Sequence, residues 1–164
     1  MLEAIRTYKI QNTGGMRFIG KKYSDGATAW HEWKAKGLFE TVKQQIGINL
    51  SNLHEDSDAL VGLMSHRDGF EYWLGYFTPE NTPVPEGLDH EDFPRADMAV
   101  CWFYEKDEFN PWDLAPEGLA NIEKAGYTVT TNWWFERYSP KRCKDFYAKE
   151  TPDDTIMDIG YFVV

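Results

Sequence analysis

The sequence predicts an α+β fold in which two βαββ units form one antiparallel sheet, with two helices on one face and a central cleft between them. Two observations indicate this class. The order strand, helix, strand, strand occurs twice along the 164 residues. A segment with three prolines, T-P-E-N-T-P-V-P-E-G-L, separates the two runs and predicts an extended connector. We therefore expect a single domain over residues 1–164, with repeats at about 1–80 and 90–164 and the connector at about 79–92.

The strands of the first repeat follow from β-rich runs bounded by turn residues. A-I-R-T-Y-K-I and M-R-F-I-G-K-K-Y-S, on either side of the Gly14-Gly15 turn, predict one bent strand or two short ones. A-L-V-G-L-M-S-H and F-E-Y-W-L-G-Y-F predict two further strands, joined by the R-D-G turn at 67–69.

The helix of the first repeat is predicted over residues 28–47, where apolar residues recur on one helical face. Asp25 or Thr28 would cap its start, and Gly47 would end it. Gly37 either lies within this helix or divides it into two helices.

The second repeat begins with D-F-P-R-A-D-M-A-V-C-W-F-Y-E-K, which predicts a strand. P-W-D-L-A-P-E-G-L-A-N-I-E-K-A-G then predicts a helix that ends near Gly126. W-W-F-E-R-Y and T-I-M-D-I-G-Y-F-V-V predict the last two strands.

Composition and charge restrict the function classes. The chain carries 17 basic and 27 acidic residues, a net charge of −10, and 16 % of its residues are aromatic. A polyanion would be repelled, so we expect no direct nucleic-acid binding. Aromatic residues in this number are typical of ligand sites as well as of cores.

Other classes lack their sequence signals. There is no apolar run of about 18 residues and no leader-like start, so the sequence predicts a cytoplasmic protein without a membrane span. Cys101 and Cys143 show no metal-ligand spacing, and the four histidines are dispersed, so we expect no metal site. G-x-S-x-G, Walker-type and G-x-G-x-x-G motifs are missing, and we expect no cofactor.

The run N-W-W-F-E-R-Y at 132–138 contains the most informative residue, Glu136. In a strand, Trp134, Glu136 and Tyr138 share one face, because side chains alternate between the two faces. A carboxylate between two aromatic residues is either a surface residue paired with a nearby base or a buried charge suited to a cationic ligand.

Several segments together resemble the GyrI-like (gyrase-inhibitor-like) small-molecule-binding domain, the effector-binding domain of AraC/MerR-type bacterial transcription activators. The matching segments occur in the same order across essentially the whole chain: M-R-F-I-G-K-K-Y, Y-W-L-G-Y-F, F-P-R-A-D-M-A-V-C-W-F, L-A-N-I-E-K-A-G-Y, F-E-R-Y and D-I-G-Y-F-V-V. The resemblance implies the duplicated βαββ fold and a central cleft that binds lipophilic, often cationic or aromatic compounds.

The resemblance also implies site residues. Glu136 lies where multidrug-responsive members hold a buried glutamate against the positive charge of the ligand, and Asp158 lies where some members have an acidic residue facing the pocket. Aromatic residues near the predicted cleft are candidate walls, each also explained by core packing: Trp30, Trp33, Trp73, Tyr76, Trp102, Tyr104, Trp134 and Tyr138. Trp73 and Tyr76 fall on opposite faces of a regular strand, so we expect at most one of them to line the cleft.

Three functions are consistent with these residues. The leading hypothesis is a non-catalytic receptor for hydrophobic, cationic or planar aromatic small molecules, which sequesters them or signals to a partner regulator. The second is implied by the resemblance, because some stand-alone relatives are similar to hydrolases that open the cyclopropane rings of toxic compounds. In this sequence Glu136 would be the general base and Tyr138 the proton donor. The third is a protein-interaction module of the gyrase-inhibitor type with a gyrase-like partner. Regulators of this family usually carry a DNA-binding segment ahead of the domain, whereas this sequence begins close to the first family strand, so we expect a stand-alone module.

Overall fold

A computed structural model describes residues 1–47, 50, 53–105, 111–143 and 155–164. Within these residues the chain forms eight strands and three helices. Their bounds are β1 Arg6–Ile10, β2 Met16–Tyr23, α1 Gly26–Lys36, α2 Leu38–Ile46, β3 Leu60–Ser65, β4 Glu71–Pro79, β5 Asp89–Phe93, β6 Asp97–Glu105, α3 Pro111–Lys124, β7 Val129–Tyr138 and β8 Thr155–Val163.

The strands form one antiparallel sheet in the order β1-β6-β8-β7-β3-β4-β2-β5. Strands β2, β3 and β4 with α1 and α2 form one βαββ unit, and β6, β7 and β8 with α3 form the other. The two units meet where β3 pairs with β7. The predicted fold class, two βαββ units in one antiparallel sheet, is confirmed.

Each edge strand pairs with the first strand of the other unit. β1 precedes β2 in sequence but pairs with β6. β5 precedes β6 but pairs with β2. The predicted connector at about 79–92 therefore contains most of a strand, and the strand predicted to start at Asp92 is divided between β5 and β6. The last residue of that prediction, Lys106, lies outside the described residues.

Gly37 divides the first helical segment into two helices, which is one of the two alternatives that the sequence left open. The described residues therefore hold three helices, whereas the predicted fold class had two. Asp25 caps α1, and its side chain accepts a hydrogen bond from the backbone N–H of Thr28. Gly37 has a left-handed backbone with φ of 62°, which ends α1 and starts α2. Gly47, at φ of 73°, follows the end of α2.

All three helices lie on one face of the sheet, which we call the helix face. α1 packs on β2 and β4, α2 on β4, and α3 on β6 and β8. The central strands β3 and β7 therefore run between the two groups of helices. None of the helices in the described part of the chain is long and apolar enough to span a membrane.

The other face, which we call the opposite face, holds a second core rich in aromatic rings. The Phe93 ring on β5 stacks on the Phe162 ring on β8 at a centroid distance of 4.8 Å, although four strands separate β5 from β8. The Phe77 ring on β4 also meets Phe162, at 6.1 Å. The sheet is therefore strongly curved, and this face closes on itself.

Candidate functional site

Strand β7 places Glu136 on the helix face, midway between the two groups of helices. Trp134 and Tyr138 belong to the same core as the helices, whereas Trp133 and Phe135 belong to the core of the opposite face. The alternation predicted for this strand is confirmed. Glu136 is only 6 % exposed, so the surface-residue alternative is wrong.

The carboxylate of Glu136 accepts hydrogen bonds from two tyrosines. The Tyr138 hydroxyl donates to Oε2. The Tyr72 hydroxyl donates to Oε1 at 3.4 Å. Hydroxyl donors favour the ionised form of a carboxyl group and do not neutralise its charge. The arrangement thus holds a carboxyl group in a site surrounded by aromatic rings.

Tyr72 is in turn oriented by a residue of α1. The indole Nε1 of Trp30 donates to the Tyr72 hydroxyl at 2.9 Å. Burial raises the pKa of Tyr72 well above its usual value of 10, and the charge of Glu136 raises it further. Tyr72 therefore keeps its proton throughout the neutral range and remains a donor.

Gly62 on β3 makes room for this contact. It pairs with Glu136 across the β3–β7 ladder. A Cβ at Gly62 would lie 2.4 Å from the Tyr72 Oη and 3.1 Å from the Glu136 Cγ. A glycine inside a buried strand allows just such a close approach. No other residue type fits between the tyrosine and the carboxylate without displacing one of them.

Aromatic rings from the helices cover the same position. The Trp30 ring meets the Tyr138 ring edge to face at 5.0 Å and the Phe39 ring of α2 at 5.7 Å. We call Trp30, Tyr72, Glu136 and Tyr138 the Glu136 site.

A cavity lies at each end of the helix-facing side of β7. One, of about 240 Å³, is bounded by Trp134, Tyr161 on β8 and Leu119 on α3, with His66 at its side. The other, of about 190 Å³, is bounded by Phe39, Tyr76 and Leu60, among others. An apolar cavity of about 150 Å³ accommodates a benzene molecule, so each has room for an aromatic group.

The helix-face candidates divide into cavity walls and core. Trp134 and Tyr76 line the cavities. Trp30 and Tyr138 lie at the carboxylate. Trp33 is fully buried, and its Nε1 donates to the Tyr23 hydroxyl at 3.0 Å, a contact that attaches α1 to β2.

Four candidate residues lie away from the Glu136 site and the two cavities, which corrects their predicted placement: Trp73, Trp102, Tyr104 and Asp158. Trp73 and Trp102 belong to the opposite-face core or its border, because the register of β4 and β6 turns them from the helices. Tyr104 shares that side of β6 and is 51 % exposed. As predicted, only one of Trp73 and Tyr76 faces the helices.

Asp158 is the fourth, and it belongs to a buried ion network on the opposite face. Its Oδ2 accepts from the Arg137 Nε at 2.7 Å, and its Oδ1 accepts from the Arg142 Nε at 3.1 Å. Arg142 Nη1 also donates to Asp56 at 3.0 Å, and Arg137 Nη2 donates to the Tyr8 hydroxyl at 2.6 Å. Asp158 thus ties neighbouring strands and loops together from behind the Glu136 site.

Tyr72 and Gly62 were not identified as site residues by sequence reasoning. The sequence contains a signal for each. Tyr72 is four residues from Tyr76 in the same strand, so the two side chains share a face. Gly62 interrupts a run of apolar residues in β3. In the described part of the chain, no group of three or more histidine, cysteine, aspartate or glutamate residues is arranged to hold a metal ion.

The fold is shared with several solved structures. No protein-family model matches the sequence, and no curated protein matches it significantly. A bacterial transcription regulation protein from Staphylococcus aureus MU50 superposes with a TM-score of 0.62 at 16 % identity, over 99 % of each chain.

Two further structures have the same fold. SAV2435 bound to tetraphenylphosphonium has a TM-score of 0.66 at 17 % identity, over 98 % of this chain and 94 % of its own. The C-terminal domain of EcmrR has a TM-score of 0.58 at 12 % identity, over 97 % of this chain and 96 % of its own. At these identities the likeness establishes the fold.

Proposed function

We propose that this protein is a receptor for lipophilic cations with aromatic groups, which bind on the helix face with Glu136 as counter-charge. The observation that carries the proposal is the Glu136 carboxylate, 6 % exposed and set among aromatic rings, with neutral hydroxyls as donors. In a medium of low dielectric, a carboxylate attracts a cation far more strongly than it does in water. Ring faces add about 0.5 to 2 kcal/mol per cation–π contact.

The cavities support the aromatic part of this ligand class. They lie at the two ends of β7, with Trp134 in one and Tyr76 in the other. Apolar groups of a bound cation would have space in these cavities. SAV2435, which has the same fold, is bound to tetraphenylphosphonium, a cation of this class.

The test compares a cation with a neutral compound of similar shape. Methyltriphenylphosphonium and triphenylphosphine oxide are titrated by calorimetry and by thermal shift into wild type, Glu136→Gln and Glu71→Gln. Glu71→Gln is the matched control, because Glu71 is equally buried but lies on the opposite face beside Lys22 and Arg67. Both variants change the net charge by the same amount.

We expect the phosphonium, and not the oxide, to stabilise the wild type. A ligand at 100 times its Kd stabilises by about 2.7 kcal/mol, which a thermal shift detects readily. Glu136→Gln should weaken phosphonium binding about tenfold or more, equivalent to about 1.4 kcal/mol, while Glu71→Gln should leave it unchanged. Equal binding of the two compounds, or equal loss in both variants, would refute the counter-charge role.

A second candidate function, the hydrolase of cyclopropane-containing compounds, is supported by the direct hydrogen bond from the Tyr138 hydroxyl to Glu136. This bond brings together the carboxylate and the phenol that opening a strained ring by water would require, the first as general base and the second as proton donor. Incubation with cyclopropane-containing electrophiles, followed by mass spectrometry, should then show gain of one water. The gain should disappear in both Glu136→Gln and Tyr138→Phe.

A further inference from the structure

We propose that Tyr72 makes the Glu136 site selective for cations without N–H donors, such as phosphonium and quaternary ammonium ions, over protonated amines of the same shape. This inference rests on the proposed function, because it takes Glu136 as the counter-charge.

The direction of each hydrogen bond in the site is fixed by chemistry. An indole N–H can only donate, so the Tyr72 oxygen is the acceptor of the 2.9 Å bond from Trp30. A phenol has a single proton, and that of Tyr72 is directed at Oε1 of Glu136. The proton of Tyr138 is directed at Oε2. Each carboxylate oxygen therefore already accepts one tyrosine proton.

The position of Tyr72 is built into the sheet. Its hydroxyl lies directly over Gly62, where even a methyl group would come within 2.4 Å. Trp30 holds it from the side of α1, and Tyr72 itself is fully buried. Moving the hydroxyl away would leave a buried polar group without its acceptor, which is unfavourable.

Selectivity follows from what each cation loses on leaving water. A primary ammonium gives up hydrogen bonds from three N–H groups and needs acceptors in their place. A carboxylate has about four acceptor positions, and the protons of Tyr72 and Tyr138 occupy two of those of Glu136. A primary ammonium therefore finds at most two positions there for its three N–H groups, unless it displaces a buried tyrosine hydroxyl. A quaternary ammonium or phosphonium ion has no such donors and keeps its Coulomb and cation–π attraction in full.

The experiment uses one ring system with increasing N-methylation: naphthylmethylammonium and its mono-, di- and trimethyl derivatives. Calorimetric Kd values are measured at neutral pH for wild type, Tyr72→Phe and Tyr8→Phe. Tyr8→Phe is the matched control, because it removes a hydroxyl of the opposite face that contacts Arg137. Methylation changes ligand hydrophobicity equally for all three proteins, so changes in the affinity ratio between proteins report on the site.

We expect wild type to bind more tightly with each N–H removed, and the trimethyl compound about tenfold or more tighter than the primary amine. Tyr72→Phe removes the tyrosine proton that Oε1 accepts and should reduce this ratio about fivefold or more, whereas Tyr8→Phe should leave it unchanged. A ratio unaltered by Tyr72→Phe, or a wild type that binds the primary amine most tightly, would overturn the inference. If Tyr72→Phe does not fold, Trp30→Phe takes its place in the comparison, because it removes the indole donor that holds the Tyr72 hydroxyl.

The failure of this inference differs from that of the proposed function. If Glu136→Gln weakens every member of the series equally and Tyr72→Phe changes no ratio, Glu136 is a counter-charge without donor selectivity. If Glu136→Gln weakens none of them, the proposed function itself fails.

Discussion

Two neighbouring strands each carry a carboxyl group that is almost fully buried, Glu136 on β7 and Asp158 on β8. The two groups lie on different faces of the sheet and have different partners. Glu136 accepts from tyrosine hydroxyls, which are neutral. Asp158 accepts from two guanidinium groups. The residue next to Glu136 in sequence, Arg137, supplies one of these. Because side chains alternate along β7, Arg137 belongs to the ion network of the opposite face, which joins structural elements. Glu136, its neighbour in sequence, lies among the aromatic rings of the helix face.

The aromatic residues of the two faces differ in the same way. On the opposite face, Phe77, Phe93, Phe135 and Phe162 contact one another and carry no polar group. On the helix face, rings such as Trp30 and Tyr72 carry a donor that is used in a directed hydrogen bond. The first arrangement contributes stability through burial, whereas the second positions a charge.

The largest expected effect comes from breaking the ion network of the opposite face. Arg137→Leu removes a guanidinium whose side chain is 2 % exposed and leaves Asp158 with one cation fewer in the interior. We expect the free energy of unfolding to fall by about 3 to 5 kcal/mol, as is usual when one partner of a buried pair is lost. Urea unfolding measures this change directly.

Arg67→Leu is the control for this substitution. Arg67 lies on the same face and pairs with Glu71, but its side chain is 42 % exposed and Lys22 also holds that carboxylate. We expect a loss of about 1 kcal/mol or less. Equal losses in the two variants would show that the network around Asp158 is no more important to stability than a surface pair.

A smaller effect is expected from pH, through His54 at the border of the same network. Burial, together with the charge of Arg137, lowers the pKa of His54 to about 4. The folded state therefore keeps this histidine neutral between pH 6.5 and 4, while the unfolded chain takes up a proton. Stability should fall as the pH is lowered through this window, by about 2 to 3 kcal/mol in total.

Urea unfolding at several pH values between 7 and 4 measures this loss. His54→Phe removes the titrating group and should flatten the profile over the same window. A wild-type profile as flat as that of the variant would show that His54 is protonated in the folded state as well.

Sequence patterns predicted the two βαββ units and the face of the sheet on which Glu136 lies. Alternation in N-W-W-F-E-R-Y placed Glu136, Trp134 and Tyr138 on one face, and the structure has them there. The order of elements gave the two βαββ units. These properties depend on local periodicity, which a single sequence displays.

The residues that the sequence did not reveal depend on pairing between distant strands. Tyr72 reaches Glu136 only because β3 lies between β4 and β7, and because Gly62 on β3 has no side chain. The exchange of the edge strands β1 and β5 between the units is likewise a matter of pairing. Trp102 was a candidate wall of the cleft because it is an aromatic residue of a central strand. The register of β6 turns it to the opposite face, where the Arg142 Cζ lies 4.2 Å from its ring centroid.

The smallest expected effect tests whether Gly62 exists to admit Tyr72. Gly62→Ala places a methyl group 2.4 Å from the Tyr72 Oη, so the tyrosine must move and its bond to Glu136 must lengthen or break. Overpacking of this kind lowers stability by about 1 to 3 kcal/mol, and we expect a loss near the lower end. Urea unfolding measures it.

A double-mutant cycle with Tyr72→Phe distinguishes this contact from a general intolerance of β3 to alanine. Removing the hydroxyl takes away the closest atom, although the ring carbon Cζ at 3.0 Å remains. The loss caused by Gly62→Ala should therefore be smaller in the Tyr72→Phe background, by about 0.5 kcal/mol or more. If the two losses in the free energy of unfolding are strictly additive, Gly62 is required by the packing of β3 and not by its contact with Tyr72. In that case Trp30 and the packing of α1 would hold Tyr72 against Glu136. Gly62→Ala should then leave the selectivity for cations without N–H donors unchanged, and Trp30→Phe should remove it.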